Sequence, residues 1–120
     1  MSDIAAAEIA QRLGAVRIVD VRGAGEYTGA YGLPCDPRQG HIPGAINIDV
    51  QEMMLLSDEE LTERLGIEAG AEVVAYCHSG SRSAMAVQIL GRLGYNARNF
   101  VGSWHEWSQT QLPVESGLPE

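Results

Sequence analysis

A cysteine at the junction between a predicted strand and a predicted helix is the feature that most constrains this fold. Residues 73–75 are apolar, and residues 76–83, Tyr-Cys-His-Ser-Gly-Ser-Arg-Ser, connect them to an amphipathic segment. The first N–H groups of a helix have no partner within the helix, and the helix dipole adds partial positive charge there. With further positive charge from Arg82 and His78, we expect the pKa of Cys77 to fall below its ordinary value of about 8.5.

Short β-branched runs alternate with helical segments along the chain. Strands are predicted at residues 16–21, 46–48, 72–76 and 97–101, and helices at residues 5–13, 49–56, 57–65 and 83–93, with short helical turns near Glu26 and after Gly102. This alternation predicts an α/β fold with a mainly parallel sheet that helices cover on both faces. Because no linker or repeat interrupts the pattern, we expect residues 1–120 to form one domain.

The charge of the chain argues against several classes of function. Its 120 residues include 16 acidic and 8 basic side chains, giving a formal net charge of -8. We therefore expect no nucleic-acid partner and no binding to anionic membranes through general electrostatics. No apolar run approaches the roughly 20 residues of a membrane helix, and the first residues lack the basic region of a secretory signal. We accordingly expect a cytoplasmic protein.

The two cysteines, Cys35 and Cys77, do not form a Cys-x-x-Cys pair, and we expect both thiols to be reduced. Their spacing relative to the three histidines is not that of a metal site, so we predict no metal and no cofactor. Cys35 lies in a segment rich in glycine and proline, beside Asp36, whose charge disfavours a thiolate. We interpret Cys35 as a spare thiol, with a resolving cysteine that reaches Cys77 as the alternative.

Ionisable residues near the predicted strand ends form a second group of candidates. Asp20 and Arg22 lie at the carboxyl end of the first strand, the edge where parallel sheets place their sites. We interpret Asp20 as a member of an ion pair or a helix cap, with direct substrate contact as the alternative. Arg22 is a secondary candidate for orienting the loop or a bound substrate. His41 lies in a turn fixed by glycine and proline, so we interpret it as structural.

Taken alone, the loop of Cys77, Gly80 and Arg82 is compatible with passive anion binding, phosphatase chemistry or sulfur transfer. In each case Gly80 lets the backbone turn inward, and successive N–H groups form an anion-binding nest. A passive anion site gains nothing from a thiolate at its centre, because like charges repel. The choice between phosphatase chemistry and sulfur transfer stays open at this point.

A set of motifs in this chain resembles a single-domain rhodanese in order and over nearly the whole length. The motifs are Asp20-Val21-Arg22 with Glu26, Gly40-His41-Ile42-Pro43-Gly44-Ala45, Tyr76-Cys77-x-x-Gly80-x-Arg82-Ser83, Gly91-x-Leu93-Gly94-Tyr95 and Gly102-Ser103-Trp104-x-x-Trp107. The resemblance implies a rhodanese-like, five-stranded parallel sheet flanked by helices. It also implies that Cys77 takes the sulfane sulfur of a donor such as thiosulfate as a persulfide. The acceptor would be cyanide in assays, or a thiol or thioredoxin-like partner.

The resemblance also implies roles for the loop residues. Cys77 would be the nucleophile, and Arg82 would hold the anionic donor. The residues that would supply N–H groups and hydroxyl donors are His78, Ser79, Gly80, Ser81 and Ser83. Related cell-cycle phosphatases separate the cysteine and arginine by five residues, whereas four lie between Cys77 and Arg82, which favours one sulfur atom over a phosphoryl group.

Two alternatives to a free-standing sulfurtransferase accompany this interpretation. The first is a cysteine phosphatase or arsenate reductase that uses the same nucleophile. The second is a regulatory or sulfur-relay module that needs a protein partner. The choice between thiosulfate and mercaptopyruvate as donor also stays open, since the residues after Cys77 follow neither family pattern.

Overall fold

A parallel sheet lies at the centre of the chain, which a computed structural model describes from residue 3 to residue 117. Its strands are β1 (Arg17–Asp20), β2 (Ile46–Asn47), β3 (Glu72–Tyr76) and β4 (Asn96–Asn99). The helices are α1 (Ala6–Gln11), α2 (Ala24–Thr28), α3 (Val50–Leu55), α4 (Asp58–Leu65), α5 (Ser81–Arg92) and α6 (Ser103–Trp107). The strand order is β2-β1-β3-β4, with every pair parallel.

None of the helices between residues 3 and 117 is both long and apolar enough to cross a membrane. The expectation about a secretory signal rests partly on residues 1 and 2, which lie outside the described residues.

Between residues 3 and 117 the sheet has four strands, which corrects the expectation of five. Next to β4, only one bridge forms within the described residues, between Asp3 and Asn99. The N–H of Ile4 donates to the carbonyl of Asn99 at 3.1 Å, and α1 begins two residues later at Ala6. From Asp3 onward, this early turn into the helix leaves no length for a longer ladder. The difference is confined to the edge of the sheet, and the parallel α/β architecture is confirmed.

The central strands place alternate side chains in two hydrophobic cores. Val73 and Ala75 of β3 contribute to the core that contains α3, α4 and α5. Val74 and Tyr76 contribute to the opposite core, with α1, α2 and α6. Because successive side chains of a strand point to opposite faces, one short apolar strand serves both cores. The predicted coverage of both faces is therefore confirmed.

Helix α6 is anchored by two buried tryptophans, Trp104 and Trp107. The indole N–H of Trp104 donates to the carbonyl of Arg38 at 3.0 Å, and that of Trp107 donates to the carbonyl of Pro113 at 2.9 Å. Since a buried indole N–H needs an acceptor, these bonds fix both the segment around residue 38 and the C-terminal tail against α6.

A buried ion pair occupies the carboxyl end of β1. The Arg22 guanidinium donates to both carboxylate oxygens of Asp20, with distances of 2.7 to 3.2 Å, and to the carbonyl of Gly40 at 2.6 Å. The hydroxyl of Tyr76 donates to the same carboxylate at 2.7 Å and accepts the N–H of Ile42 at 3.0 Å. The side chains of Asp20 and Arg22 are 0% and 1% exposed. The interpretation of Asp20 as an ion-pair partner is confirmed.

Replacing Asp20 by asparagine should test how much this buried pair contributes. The substitution keeps the side-chain shape but leaves the Arg22 cation buried without a counter-charge, so we expect the free energy of unfolding to fall by about 3–5 kcal/mol. Urea denaturation measures the loss. Glu68→Gln is the control, because Glu68 pairs with Arg17 at the surface and its loss should change stability much less than the loss of the buried charge. Equal losses in the two variants would contradict the assigned role.

Candidate active site

The sulfur of Cys77 lies at the centre of a loop whose backbone N–H groups point at it. Cys77 directly follows β3, and α5 begins at Ser81. The N–H of Gly80 donates to the sulfur at 3.0 Å and that of Ser83 at 3.4 Å. Cys77 is fully buried. The strand, the turn and the first helical turn thus form the cradle that the sequence predicted.

The surroundings of Cys77 favour its thiolate. Burial raises the pKa of Cys77, but the Ser83 hydroxyl and the N–H groups of Ser83, Gly80 and Ser79 together lower it below its ordinary value. The Ser83 hydroxyl oxygen lies 3.4 Å from the sulfur and also donates to the side-chain oxygen of Asn99 at 2.7 Å. Because a hydroxyl has one proton, the thiolate competes with Asn99 for it. The expected direction of the pKa shift is confirmed.

Gly80 makes the inward turn of the loop sterically feasible. Its φ is +100°, a region that residues with a side chain rarely adopt, and a Cβ at this position would lie 2.7 Å from the carbonyl oxygen of Val101. The side-chain amide of Asn99 donates to the Gly80 carbonyl at 3.4 Å and holds the turn from the other side. A larger residue at position 80 would therefore move the N–H that bonds to the sulfur.

Helix α6 holds the base of the loop through residues whose roles the sequence did not reveal. The N–H of Cys77 donates to the hydroxyl of Ser103 at 3.0 Å, and this hydroxyl donates to the carbonyl of Phe100 at 2.7 Å. Ser103 has a φ of +54°, unusual for a residue with a side chain. The N–H groups of Trp104 and His105 donate to the carbonyls of Cys77 and His78. The motif Gly102-Ser103-Trp104 was noticed in the sequence without this role being recognised. No pattern in the sequence pointed to Asn99.

Arg82 does not stand alone at the rim of the loop, because it pairs with Glu26. Two guanidinium nitrogens donate to the Glu26 carboxylate at 3.1 and 3.4 Å, and the Arg82 side chain is 38% exposed. Burial raises the pKa of Glu26, but the contact with Arg82 outweighs it and leaves the pKa lowered. Glu26 is therefore a carboxylate that positions Arg82. It is poorly suited to donate a proton.

The remaining predicted loop residues occupy different positions. The imidazole of His78 contacts the carboxylate of Asp36 at 3.0 Å instead of facing the sulfur. Ser79 contributes its backbone N–H to the environment of the sulfur. Ser81 is exposed at the start of α5, where it lines a groove of about 400 Å³ together with Arg82.

Arg22, the secondary candidate for orienting the loop or a bound substrate, is buried in its ion pair with Asp20 and does not face the sulfur-donor side of the loop as an exposed cation. The hydrogen bonds described for its guanidinium go to Asp20 and Gly40, and the side chain is 1% exposed. Arg22 can act on the loop indirectly, because the hydroxyl of Tyr76 donates to the same Asp20 carboxylate and Tyr76 directly precedes Cys77. The structural interpretation of His41 agrees with its burial and with its stacking on Tyr27 at 3.7 Å.

Both cysteines are free, and Cys35 is exposed. Its sulfur lies 3.9 Å from a ring nitrogen of His78 and 3.9 Å from one of His105. Cys35 therefore lies beside His78, the residue that directly follows Cys77. The position of Cys35 in the sequence did not indicate this contact.

Comparisons with known proteins place this chain in a family. The family model for the rhodanese-like domain matches residues 5–110. The chain is 34% identical to the thiosulfate sulfurtransferase of Corynebacterium glutamicum, across 87% of this chain and 40% of that protein. It is 34% identical to the thiosulfate sulfurtransferase of Pseudomonas aeruginosa, and the match covers 87% of this chain and 42% of that protein. A solved structure named "Crystal Structure of Probable Thiosulfate Sulfurtransferase" superposes with a TM-score of 0.83 and is 45% identical in sequence. The superposition covers 94% of this chain and 47% of that protein. This chain spans less than half the length of these three proteins.

Two glycine-to-alanine substitutions should distinguish the backbone constraint at Gly80 from the general effect of alanine on stability. Gly80→Ala forces a side chain into a positive-φ position against a carbonyl, so it should lower the free energy of unfolding by about 1–3 kcal/mol. Gly91→Ala, in α5 with nothing within 4 Å of the new Cβ, should raise that free energy by about 0.5–1 kcal/mol. Urea denaturation of the two variants measures both. Equal stability of the two would contradict the constraint at Gly80.

Proposed function

Because this chain belongs to the rhodanese family, we propose that it is a sulfurtransferase in which Cys77 carries sulfur as a persulfide. The observation that supports the proposal best is the convergence of the Gly80 and Ser83 N–H groups on the Cys77 sulfur. These donors favour an anionic sulfur, and a thiolate is the form that attacks. The relatives' names include thiosulfate sulfurtransferase, which makes thiosulfate the first donor to test.

In the first step, the Cys77 thiolate attacks the outer, sulfane sulfur of thiosulfate. A bond forms between the Cys77 sulfur and the sulfane sulfur, the sulfur–sulfur bond of thiosulfate breaks, and sulfite leaves with the electron pair. The outer sulfur keeps its negative charge as the end of the persulfide, and the charge of the attacking thiolate leaves with sulfite. Covalent catalysis of this kind replaces one difficult transfer by two easier steps.

In the second step, a nucleophilic acceptor such as cyanide or a thiolate attacks the outer sulfur of the persulfide. The bond between this sulfur and the Cys77 sulfur breaks, and Cys77 leaves as a thiolate. The N–H groups that lower the pKa of Cys77 also stabilise it as a leaving group. Since the same fixed donors face an anion before and after each step, little reorganisation is needed.

Arg82 is the residue that we assign to donor binding. It lies in the first turn of α5, is partly exposed, and borders a groove that Ser81 also lines. Glu26 holds two of its nitrogens, so the guanidinium has a fixed orientation. A fixed cation beside a buried sulfur suits a small dianion such as thiosulfate. Because Cys77 is fully buried, donor entry requires side chains at the rim of the loop to move.

Glu26 also weighs against the phosphatase alternative. A phosphatase needs an acid to protonate the departing alcohol, and the lowered pKa of Glu26 makes it a weak candidate for that role. Asp20 is buried in its pair with Arg22. The alternative of a relay module is distinguished by experiment, since such a module would take sulfur from a protein partner and show negligible transfer from thiosulfate.

Replacing Cys77 by serine should abolish the transfer of sulfur from thiosulfate to cyanide, because a serine hydroxyl cannot form a persulfide. Thiocyanate formation measures the activity, and circular dichroism checks that the variant folds. We expect only the uncatalysed background in a folded variant. Turnover near that of the wild type would contradict the mechanism. Hydrolysis of an aryl phosphate by the wild type, lost in Cys77→Ser, would favour the phosphatase alternative.

Replacing Arg82 by alanine should raise the KM for thiosulfate by about 10- to 100-fold, since a hydrogen bond to a charged group contributes roughly 1.5–3 kcal/mol. Arg92→Ala is the matched control. Arg92 lies on the same helix about 15 Å from Arg82 along its axis and pairs with Asp58 at the surface. Steady-state kinetics should show an unchanged KM in Arg92→Ala. A similar KM in both variants would remove Arg82 from donor binding.

A further inference from the structure

Four potential metal ligands converge beside the active-site loop: Cys35, Asp36, His78 and His105. Their donor atoms all lie within 4.8 Å of one another. The Cys35 sulfur is 3.9 Å from Nε2 of His78, 3.9 Å from Nδ1 of His105 and 3.7 Å from Oδ1 of Asp36. Oδ1 of Asp36 is 3.2 Å from Nε2 of His78 and 3.0 Å from Nδ1 of His105. The sulfur and the carboxylate oxygen therefore each lie close to both ring nitrogens.

These separations are close to those around a tetrahedral metal ion. Zinc binds sulfur at about 2.3 Å and nitrogen or oxygen at about 2.0–2.1 Å, so tetrahedral angles put neighbouring ligand atoms roughly 3.3–3.6 Å apart. The five distances given above, 3.0 to 3.9 Å, bracket that range. The two ring nitrogens are at most 4.8 Å apart, so rearrangement of the side chains alone would bring the four atoms into coordination.

We propose that Cys35, Asp36, His78 and His105 bind one zinc(II) ion. One thiolate, two imidazoles and one carboxylate form a mixed donor set of the kind that zinc accepts in tetrahedral sites. Calcium and magnesium prefer oxygen ligands and larger coordination numbers, so this set disfavours both ions. The proposal extends beyond sulfur transfer and does not depend on it.

The backbone around the cluster is held in place by hydrogen bonds that do not use the side chains of the four ligand residues. Arg38 donates to the carbonyls of Trp107 and Ser108, both at 3.1 Å, and its own carbonyl accepts the indole N–H of Trp104. The N–H of His105 donates to the carbonyl of His78 at 3.0 Å. The segment that contains Cys35, the start of the active-site loop and α6 are thus fixed relative to one another, so the ligand atoms are preorganised.

Burial and charge at the cluster are also consistent with a cation. The Asp36 side chain is 1% exposed, whereas the side chain of His105 is 46% exposed and Cys35 is exposed. A zinc ion would neutralise both the carboxylate and the Cys35 thiolate, and the exposed side gives it a path of entry.

Zinc binding would also connect this cluster to the nucleophile. His78 directly follows Cys77, and its carbonyl accepts a hydrogen bond from α6. An ion that ties His78 to Cys35 and His105 would fix the first residue of the active-site loop. The prediction of no metal rested on spacing along the sequence, and that spacing is uninformative here because the ligands come from three separate segments.

The test uses the full chain, freed of metal with a chelator and then dialysed against zinc chloride alone. We expect one zinc per chain, and with cobalt(II) chloride alone the absorption of a tetrahedral ion with a thiolate charge-transfer band. The double variant Cys35→Ser and His105→Ala should bind zinc more than about a hundredfold more weakly and lose that band. Because both positions are partly or fully exposed, circular dichroism should show the fold retained.

Cys77→Ser is the control, since Cys77 is the other thiol of the chain that could hold zinc. This variant should bind zinc as the wild type does. The proposal would be overturned by a wild type that binds no zinc or by a double variant that binds it as tightly. Loss of zinc in Cys77→Ser with retention in the double variant would also overturn it, because the ion would then lie on the active-site thiolate.

Discussion

The hydrogen bonds from the Gly80 and Ser83 N–H groups to the Cys77 sulfur are the interactions that the site depends on. They form only because β3 ends at Tyr76, the chain turns inward at Gly80, and α5 starts at Ser81. Burial alone would raise the pKa of the cysteine, and the donors around the sulfur reverse that effect. The fold thus surrounds the buried sulfur of an acidic protein with backbone N–H and hydroxyl donors that favour its thiolate form.

The buried ion pair of Asp20 and Arg22 supports the end of β3, where the active-site loop begins. Its carboxylate accepts the hydroxyl of Tyr76, the residue that directly precedes Cys77. The same hydroxyl accepts the N–H of Ile42, so the turn that follows the 31–40 segment is tied to the end of β3. Charges that looked like candidates for substrate binding in the sequence therefore hold the strand ends in register. The exposed cation at the rim is Arg82.

The sequence was sufficient to predict the alternation of strands and helices, the two-sided core and the cradle around Cys77. These features follow from local patterns, such as an apolar run, a glycine and a helix start within ten residues. Contacts between distant segments could not be predicted in the same way. Glu26 meets Arg82 across 56 positions, and Cys35 meets His105 across 70. The fifth strand was expected from the family, and here it is replaced by one bridge at Asp3.

Sulfur loading of the protein tests the central claim most directly. The chain is incubated with thiosulfate, its intact mass is measured, and a digest assigns the added mass to a peptide. A persulfide on Cys77 predicts a gain of one sulfur atom on the peptide that contains Cys77, and its loss when cyanide is added. No gain in mass, or a gain confined to the peptide that contains Cys35, would contradict the assignment of Cys77 as the sulfur carrier.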